Sequence, residues 1–169
     1  MKYLVPVNSS KAALAPVDHL VAANRHGLQV EAVLLNVQRP FNRRVSRFTR
    51  RSDRDALRAE RSRAVMATAI EHLSRAGISF RAMTEVGSPA ERIAAVAESQ
   101  KVDEILMGVG RHPQWLRWLY PSVPEAVVAH TDVPVAIMAR GKVSALERYL
   151  IFAGFAGVAG IAALLLAVE

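Results

Sequence analysis

Few residues of this chain have the type and spacing that chemistry needs. There are no cysteines, which excludes disulfides, thiolate zinc sites and cysteine nucleophiles. The histidines form no i, i+4 pair and have no carboxylate three or four residues away, so they predict no metal site; they are His19, His26, His72, His112 and His130. Neither a Gly-x-Ser-x-Gly elbow nor a Gly-x-x-x-x-Gly-Lys loop is present. The pattern favours a protein that binds over one that catalyses.

Glycine, arginine and serine do cluster in one loop that could bind a ligand. Gly108, Gly110 and Arg111 follow a short apolar segment, and Ser122 precedes the next helical pattern. A glycine-rich loop at the end of a buried strand can turn backbone amides toward an anion. Whether this loop can bind a ligand depends on the strands and helices that position it.

Those elements alternate along the chain between strand and helix patterns. Apolar, β-rich segments predict five strands, at residues 2–7, 28–37, 78–86, 102–108 and 133–138. Alternating strands and helices predict a five-stranded parallel, doubly wound α/β sheet of the nucleotide-binding type, in which ligands bind beyond the carboxyl ends of the strands. The glycine loop lies on that edge.

The helices between the strands have recognisable starts and stops. Ser9 or Ser10 predicts the start of a first helix, which Gly27 ends and Pro16 kinks or delays. Ser52 with Asp55 predicts the start of a long helix that ends near residues 76–77. Ser-Pro-x-Glu and Ser-x-Pro-Glu sequences predict two more helices, from Ser88 to about 101 and from Ser122 to about 130.

Arginine is concentrated between the second strand and the long helix. Arg39 to Arg63 contains ten arginines against Asp53, Asp55 and Glu60, a net +7 that equals the charge of the whole chain. Such a block is typical of a solvated loop that runs into a helix, and it also suits anionic lipid. Nucleic acid is a weaker candidate, because Phe41 and Phe48 are its only aromatic residues.

The end of the chain has the pattern of a membrane anchor. Residues 149–168 contain no charged residue, and twenty helical residues span roughly 30 Å, the thickness of a bilayer core. Arg140, Lys142 and Arg148 precede this segment, so the positive-inside rule places the domain on the cytoplasmic side. We therefore expect a domain at 1–138, a basic hinge at 139–148 and a single-pass C-terminal transmembrane helix in the inner membrane. The alternative is a buried helix of the domain.

From about Lys2 to Met138 the sequence resembles the universal stress protein family. Four segments carry the resemblance: residues 3–10 (YLVPVNSS), 87–93 (GSPAERI), 102–108 (VDEILMG) and 133–138 (VPVAIM). The resemblance implies a nucleotide-binding-type fold and a homodimer that pairs through the last strand. In one branch of the family it also implies ATP, bound by Gly, two residues, Gly, nine residues, Gly, then Ser or Thr.

This chain keeps the spacing of that motif but loses two of its glycines. Counted from Gly108, the second and third glycines would fall at Arg111 and Pro121, and the hydroxyl falls at Ser122. Arginine adopts positive φ only at a cost, and proline has no N–H to offer a phosphate. Gly110 could supply part of the turn, and the Arg111 guanidinium could meet a phosphate directly.

Carried over position by position, the residues that resemble the family's nucleotide contacts are Asn8, Val37, Met107, Gly108, Ser122 and Val123. Asn8 stands where ATP-binding relatives have Asp, and it can still hydrogen-bond a ribose or adenine edge. Each of these residues could instead have a purely structural role. Asn8 and Ser122 could stabilise helix starts, and the apolar residues could pack in the core.

Two functional hypotheses follow. The first is a membrane-tethered universal stress protein that acts as a non-catalytic regulatory or adaptor domain, signalling to a membrane protein such as a transporter. The alternative is a stress sensor that binds ATP or another adenine nucleotide through an atypical phosphate loop, with at most slow ATPase activity. Neither hypothesis requires a metal of the protein's own. Anionic lipid is a further candidate partner, through the Arg39 to Arg63 segment.

Overall fold

The computed structural model describes residues 1–41, 50–110 and 123–139, without the side chain of residue 139. Five parallel strands form one sheet in the order β3-β2-β1-β4-β5. They are β1 (Lys2–Pro6), β2 (Glu31–Gln38), β3 (Ser79–Val86), β4 (Glu104–Val109) and β5 (Val135–Ala139). The predicted five-stranded parallel sheet is confirmed.

Among the described residues, four α-helices and one 3₁₀ helix lie between the strands. They are the 3₁₀ helix Lys11–Leu14, α1 (Ala15–Arg25), α2 (Arg51–Arg75), α3 (Pro89–Ser99) and α4 (Val123–Val128). The first two α-helices cover one face of the sheet and the last two cover the other. The sheet is thus doubly wound, as the alternation of patterns predicts.

Alternate residues of the central strands supply two separate cores. Val5 and Leu34 pack with α1 and α2, whereas Leu4 and Leu35 pack with α3 and α4, and all four side chains are fully buried. A strand that is apolar on both faces must lie between two helical layers, because neither face can meet water without cost. The continuous apolar runs in β1 and β2 therefore explain their central position.

The first helix begins later than Ser9 or Ser10. The chain forms the 3₁₀ helix first, and α1 starts at Ala15 with Pro16 in its first turn. A proline is tolerated there because that N–H has no partner within the helix. The predicted delay is confirmed, and so is the glycine stop, since Gly27 has a left-handed φ of +89°.

The predicted start of the long helix at Ser52 and Asp55 is wrong. The N-cap residue of α2 is Arg50, and the Ser52 hydroxyl donates to Asp53 Oδ1 at 3.2 Å. The Asp55 carboxylate is engaged by arginines of its own helix. Ser88 does occupy the N-cap position of α3, but its side chain makes no capping hydrogen bond.

The predicted hinge and anchor, at 139–148 and 149–168, lie outside the described residues apart from the backbone of residue 139. Within the described ranges, no helix has the length and apolarity that a membrane span requires.

Candidate functional site

A cleft of about 760 Å³ opens at the carboxyl ends of β1 and β4. The strand order reverses between these two strands, and this switch point is where open parallel sheets bind ligands. The volume is in the range of small-molecule sites. The main lining residues come from the ends of three strands and the starts of two helices: Asn8, Ser10, Leu35, Val37, Pro89, Ile93, Met107, Gly108, Gly110, Val123 and Glu125.

The inner wall of the cleft is apolar because of the strand periodicity. Leu35 and Val37 are two residues apart on β2, so they face the same side of the sheet, and Met107 of β4 and Ile93 of α3 also line the cleft. The Met107 side chain is almost entirely buried. This wall suits a flat, weakly polar group such as a purine base.

Asn8 stands at the mouth of the cleft, where β1 gives way to the 3₁₀ helix. Its Oδ1 accepts a hydrogen bond from the Ser10 backbone N–H at 2.9 Å, and its side chain is exposed. This local turn fixes the direction in which the amide points. The carboxamide nitrogen can then donate to a ligand, which the aspartate expected from the family resemblance could not do in its ionised form.

Gly108 is needed because the backbone of the 3₁₀ helix lies directly against it. A Cβ built at this position would lie 2.0 Å from the Ala12 carbonyl oxygen and 3.0 Å from the Ala13 Cα. The end of β4 therefore contacts the 3₁₀ helix directly, and no side chain fits between them. Its φ is not left-handed. The glycine serves close packing, a role that sequence reasoning missed.

The helix starts add partial positive charge to the cleft. The helices α3 and α4 both begin there, with Pro89 and Val123, and helix N-termini carry partial positive charge. Glu125 also lines the cleft, and it interacts with another group of the protein. Anions are therefore favoured near the helix starts.

The residues with shifted pKa values lie away from the cleft. Burial raises the pKa of Tyr3, with a further rise from the nearby charges of Glu104 and Asp103, and burial also raises the pKa of Glu104. Both are near the amino ends of the strands, opposite the cleft. Burial lowers the pKa of His19, which is on α1. The described part of the chain holds no cluster of three or more metal-ligating side chains.

A polar network supports the end of β2 beside the cleft. The buried Asn36 donates from Nδ2 to the Val7 carbonyl oxygen at 2.9 Å. Gln38 Nε2 donates to Asn36 Oδ1 at 3.1 Å and to the Arg58 carbonyl oxygen of α2 at 2.9 Å. These bonds join β1, β2 and α2. Asn36 and Gln38 are polar residues at the end of a mainly apolar strand, and this pattern could have indicated the network from the sequence.

Residues 1–139 match the model of the universal stress protein family. The chain belongs to this family. The assignment agrees with the resemblance in the sequence, and the fold described above is the one it implies.

Several solved structures have a similar fold. The protein MJ0577, whose biochemical function was assigned from its structure, has 26% identity, covers 83% of this chain and 96% of its own, and has a TM-score of 0.66. An Arabidopsis thaliana universal stress protein with AMP bound has 16% identity, with coverages of 88% and 98% and a TM-score of 0.62. A universal stress protein in complex with cAMP has 21% identity, with coverages of 82% and 96% and a TM-score of 0.60. Comparison with curated protein sequences finds no match.

The cleft of this universal stress protein brings together most of the residues predicted from sequence. Six of them line it, although they are far apart in the chain: Asn8, Val37, Met107, Gly108, Gly110 and Val123. The other two, Arg111 and Ser122, lie outside the described residues. The described residues therefore include the apolar wall and the turn at Asn8. Most of the loop that would contact the phosphates, residues 111–122, lies outside them.

Proposed function

We propose that this universal stress protein binds an adenine nucleotide in the cleft between β1 and β4 and acts as a regulatory protein. One observation carries the proposal: six residues predicted as nucleotide contacts line a cleft of about 760 Å³ at the switch point. The AMP and cAMP bound by two proteins of the same fold support the choice of ligand class.

The described residues fit the base and ribose of such a ligand. Val37 and Met107 would contact the adenine ring, because they form the apolar wall. Asn8 would hydrogen-bond an edge of the base or the ribose through its carboxamide nitrogen.

The fit is weaker for a triphosphate. Arg111 and Pro121 replace two glycines of the phosphate motif, so fewer backbone amides can turn toward the phosphates than in the intact motif. Each further phosphate needs more of these donors. A nucleotide with one phosphate, which Arg111 and the helix starts can offset, is therefore the preferred ligand.

Binding can be measured by isothermal titration calorimetry of the full-length protein with AMP, cAMP and Mg-ATP. We expect heat of binding with AMP or cAMP and a weaker response to Mg-ATP. Val37→Phe fills the apolar wall and should lower the affinity at least tenfold. Val86→Phe is the matched control, since Val86 is a half-buried valine at the end of β3 that does not line the cleft. No heat with any of the three nucleotides at micromolar protein would contradict the proposal.

A regulatory role is the second part of the proposal. Its described lining has one titratable side chain, Glu125, and the shifted pKa values lie elsewhere. We propose that nucleotide binding changes the contacts of this domain with a partner, and that any ATP hydrolysis is slow. Phosphate release from Mg-ATP above about one turnover per second, in the range of ordinary enzymes, would contradict this.

Homodimerisation through the last strand is part of the proposal. β5 is at the edge of the sheet and pairs with β4 only, among the described strands, and Ile137, which also lines the cleft, is 52% exposed. An edge strand with an exposed apolar residue favours pairing with a second copy. Sedimentation equilibrium of the full-length protein should give a dimer, and Ile137→Lys should shift it toward monomer.

Membrane tethering through residues 149–168 remains a proposal from the sequence. The expected partner is a membrane protein such as a transporter, because a tether restricts the domain to the bilayer surface. Carbonate extraction of membranes should leave the full-length protein in the pellet and release a variant that ends at residue 148. Release of both would contradict tethering without affecting the nucleotide proposal.

A further inference from the structure

β3 is an edge strand with exposed residues along its length. It lies at the end of the sheet opposite β5 and, among the described strands, pairs only with β2. The strand is eight residues long, contains neither proline nor glycine, and exposes Arg81, Ala82 and Thr84 in its middle. A long and regular edge strand presents N–H and C=O groups that can pair with another strand.

The pairing with β2 shows which residues of β3 can form those hydrogen bonds. Gly87, directly after β3, donates from its backbone N–H to the Gln38 carbonyl oxygen at 3.0 Å, so this N–H points toward β2. Backbone polar groups alternate in direction along a strand, so the even-numbered residues from 80 to 86 point theirs away from β2. A further strand would therefore bond to the even-numbered residues.

This alternation limits how two copies of β3 can pair with each other. Two identical strands that share one edge are related by a twofold axis and are antiparallel. Even-numbered residues must then oppose even-numbered residues, because these carry the free backbone groups. Overlap over most of the strand leaves two registers, with the axis beside Ala82 or beside Met83.

The charges of β3 favour the axis at Met83. Arg81 and Glu85 are two positions before and after it, so each Arg81 would face Glu85 of the other copy, and the pair of strands would hold two such contacts. With the axis at Ala82, Arg81 would face Met83 instead. Charged residues on an edge strand usually oppose pairing, but opposite charges placed symmetrically about one residue favour a single self-pairing.

The two charged side chains are on the same face of the sheet and can take part in such contacts. Both are an even number of residues from Met83, which packs against the core under α3. Glu85 forms no ion pair within the described residues. Arg81 is exposed, and its Nη1 donates to Gln100 Oε1 at 3.5 Å. That hydrogen bond is long and uses one of five N–H donors, so the guanidinium can also meet a carboxylate.

We propose that two copies of this protein pair through β3, antiparallel and with Met83 on the twofold axis, so that the sheet continues from one copy into the next. The other facing residues suit this register. Phe80 would oppose Val86, an aromatic residue against a β-branched one, and the small Ala82 would oppose Thr84. The proposal depends neither on the nucleotide cleft nor on the membrane tether.

This surface is at the opposite edge of the sheet from β5, which we propose as the homodimer contact. The β5 edge is more apolar, since Ile137 and Val128 of α4 are both more than half exposed. We therefore expect β5 to pair at lower protein concentration and β3 to join such dimers at higher concentration. Two different twofold contacts on each copy give an open chain of copies.

Met83→Cys tests the register in the full-length protein, which has no cysteine of its own. Facing Cα atoms in a non-hydrogen-bonded antiparallel pair are about 4.5 Å apart, a distance that a disulfide can span. Ala82→Cys is the matched control, because the two copies of residue 82 would be diagonal neighbours, more than about 7 Å apart and too far for a disulfide. Ala82 is exposed and Met83 is half-buried, so random collision would favour the control.

Under mild oxidation, we expect Met83→Cys to form covalent dimers at least tenfold faster than Ala82→Cys. Adding Arg81→Glu or Glu85→Arg to Met83→Cys places like charges opposite each other and should slow this reaction about tenfold. The two reversals together restore opposite charges and should restore most of the rate. Ile137→Lys, on the β5 edge, should change it less than twofold.

Three results would overturn the inference. The first is equal cross-linking of Met83→Cys and Ala82→Cys, and the second is a charge reversal that leaves the rate unchanged. The third is a double reversal that stays as slow as the single ones, because a folding defect and not the facing charges would then explain the loss. Cross-linking that Ile137→Lys abolishes would contradict a surface independent of β5. Retained cross-linking in a protein that does not dimerise through β5 would contradict only the homodimer proposal.

Discussion

Replacing Gly108 by alanine should destabilise the fold itself. The new methyl group would lie 2.0 Å from the Ala12 carbonyl oxygen, whereas Cβ contacts shorter than 3.0 Å essentially do not occur. The end of β4 and the 3₁₀ helix would therefore have to separate by about 1 Å. Ala12 and Ala13 are both buried, so the 3₁₀ helix cannot yield without exposing them or disturbing the core.

The size of the effect follows from the kind of atom that blocks the methyl group. Overpacking in a core typically costs 1 to 3 kcal/mol, and the cost is smaller when a flexible side chain can turn away. Here the obstacle is backbone, so we expect a loss of about 3 kcal/mol. With a urea m-value of about 2 kcal/mol/M, the unfolding midpoint should fall by roughly 1.5 M.

Urea unfolding of the full-length protein, followed by circular dichroism, measures this loss. Gly77→Ala is the control, because a Cβ there meets nothing within 4 Å and only its left-handed φ of +67° opposes the substitution. That strain costs roughly 1 kcal/mol. A Gly108→Ala variant within about 0.5 kcal/mol of the original protein would refute the packing argument and return Gly108 to a purely ligand-binding role.

Four further substitutions, in three experiments, test interactions around the sheet, each by urea unfolding. Asn36→Leu should cost about 1 to 3 kcal/mol, because it leaves buried polar partners unsatisfied. Ser62→Ala and Thr84→Val, alone and combined, should show a coupling of about 1 kcal/mol, since the two hydroxyls are 2.5 Å apart. Burial raises the pKa of Glu104, so the folded state disfavours the ionised form of its carboxyl group. Glu104→Gln should therefore raise the free energy of unfolding near pH 7. This gain in stability should disappear as the pH falls below 4.5, the ordinary pKa of a glutamate.

The order and type of the secondary structure elements could be read from the sequence because the signals are local. An apolar run such as residues 32–35 requires two helical layers, and Gly27 can take a left-handed φ at no steric cost. The start of α2 could not be read in this way. Ser52 and Asp55 have the residue types of a helix start, but the chain is already helical at Arg51, and Asp55 is held by arginines of the same helix.

The long-range polar contacts also escaped prediction. Asn36 hydrogen-bonds the Val7 carbonyl oxygen, 29 positions earlier in the chain. Nothing in the local pattern of β2 identifies that partner. The same holds for the approach of Gly108 to Ala12, since it depends on how β4 lies beside the turn after β1. Contacts of this kind are set by the packing of the sheet and are visible only in the folded chain.

The packing role of Gly108 changes how the phosphate motif should be interpreted. Of the three motif glycines, the chain keeps the one that close backbone contact requires and has Arg111 and Pro121 at the others. Retention of Gly108 is thus no argument for phosphate binding. The apolar wall and the Asn8 turn are independent of that constraint, so the support for base binding is stronger than the support for phosphate binding. The comparison of AMP with Mg-ATP tests this difference directly: a cleft that recognises the base should bind AMP at least as tightly, whereas an intact phosphate loop would favour the triphosphate.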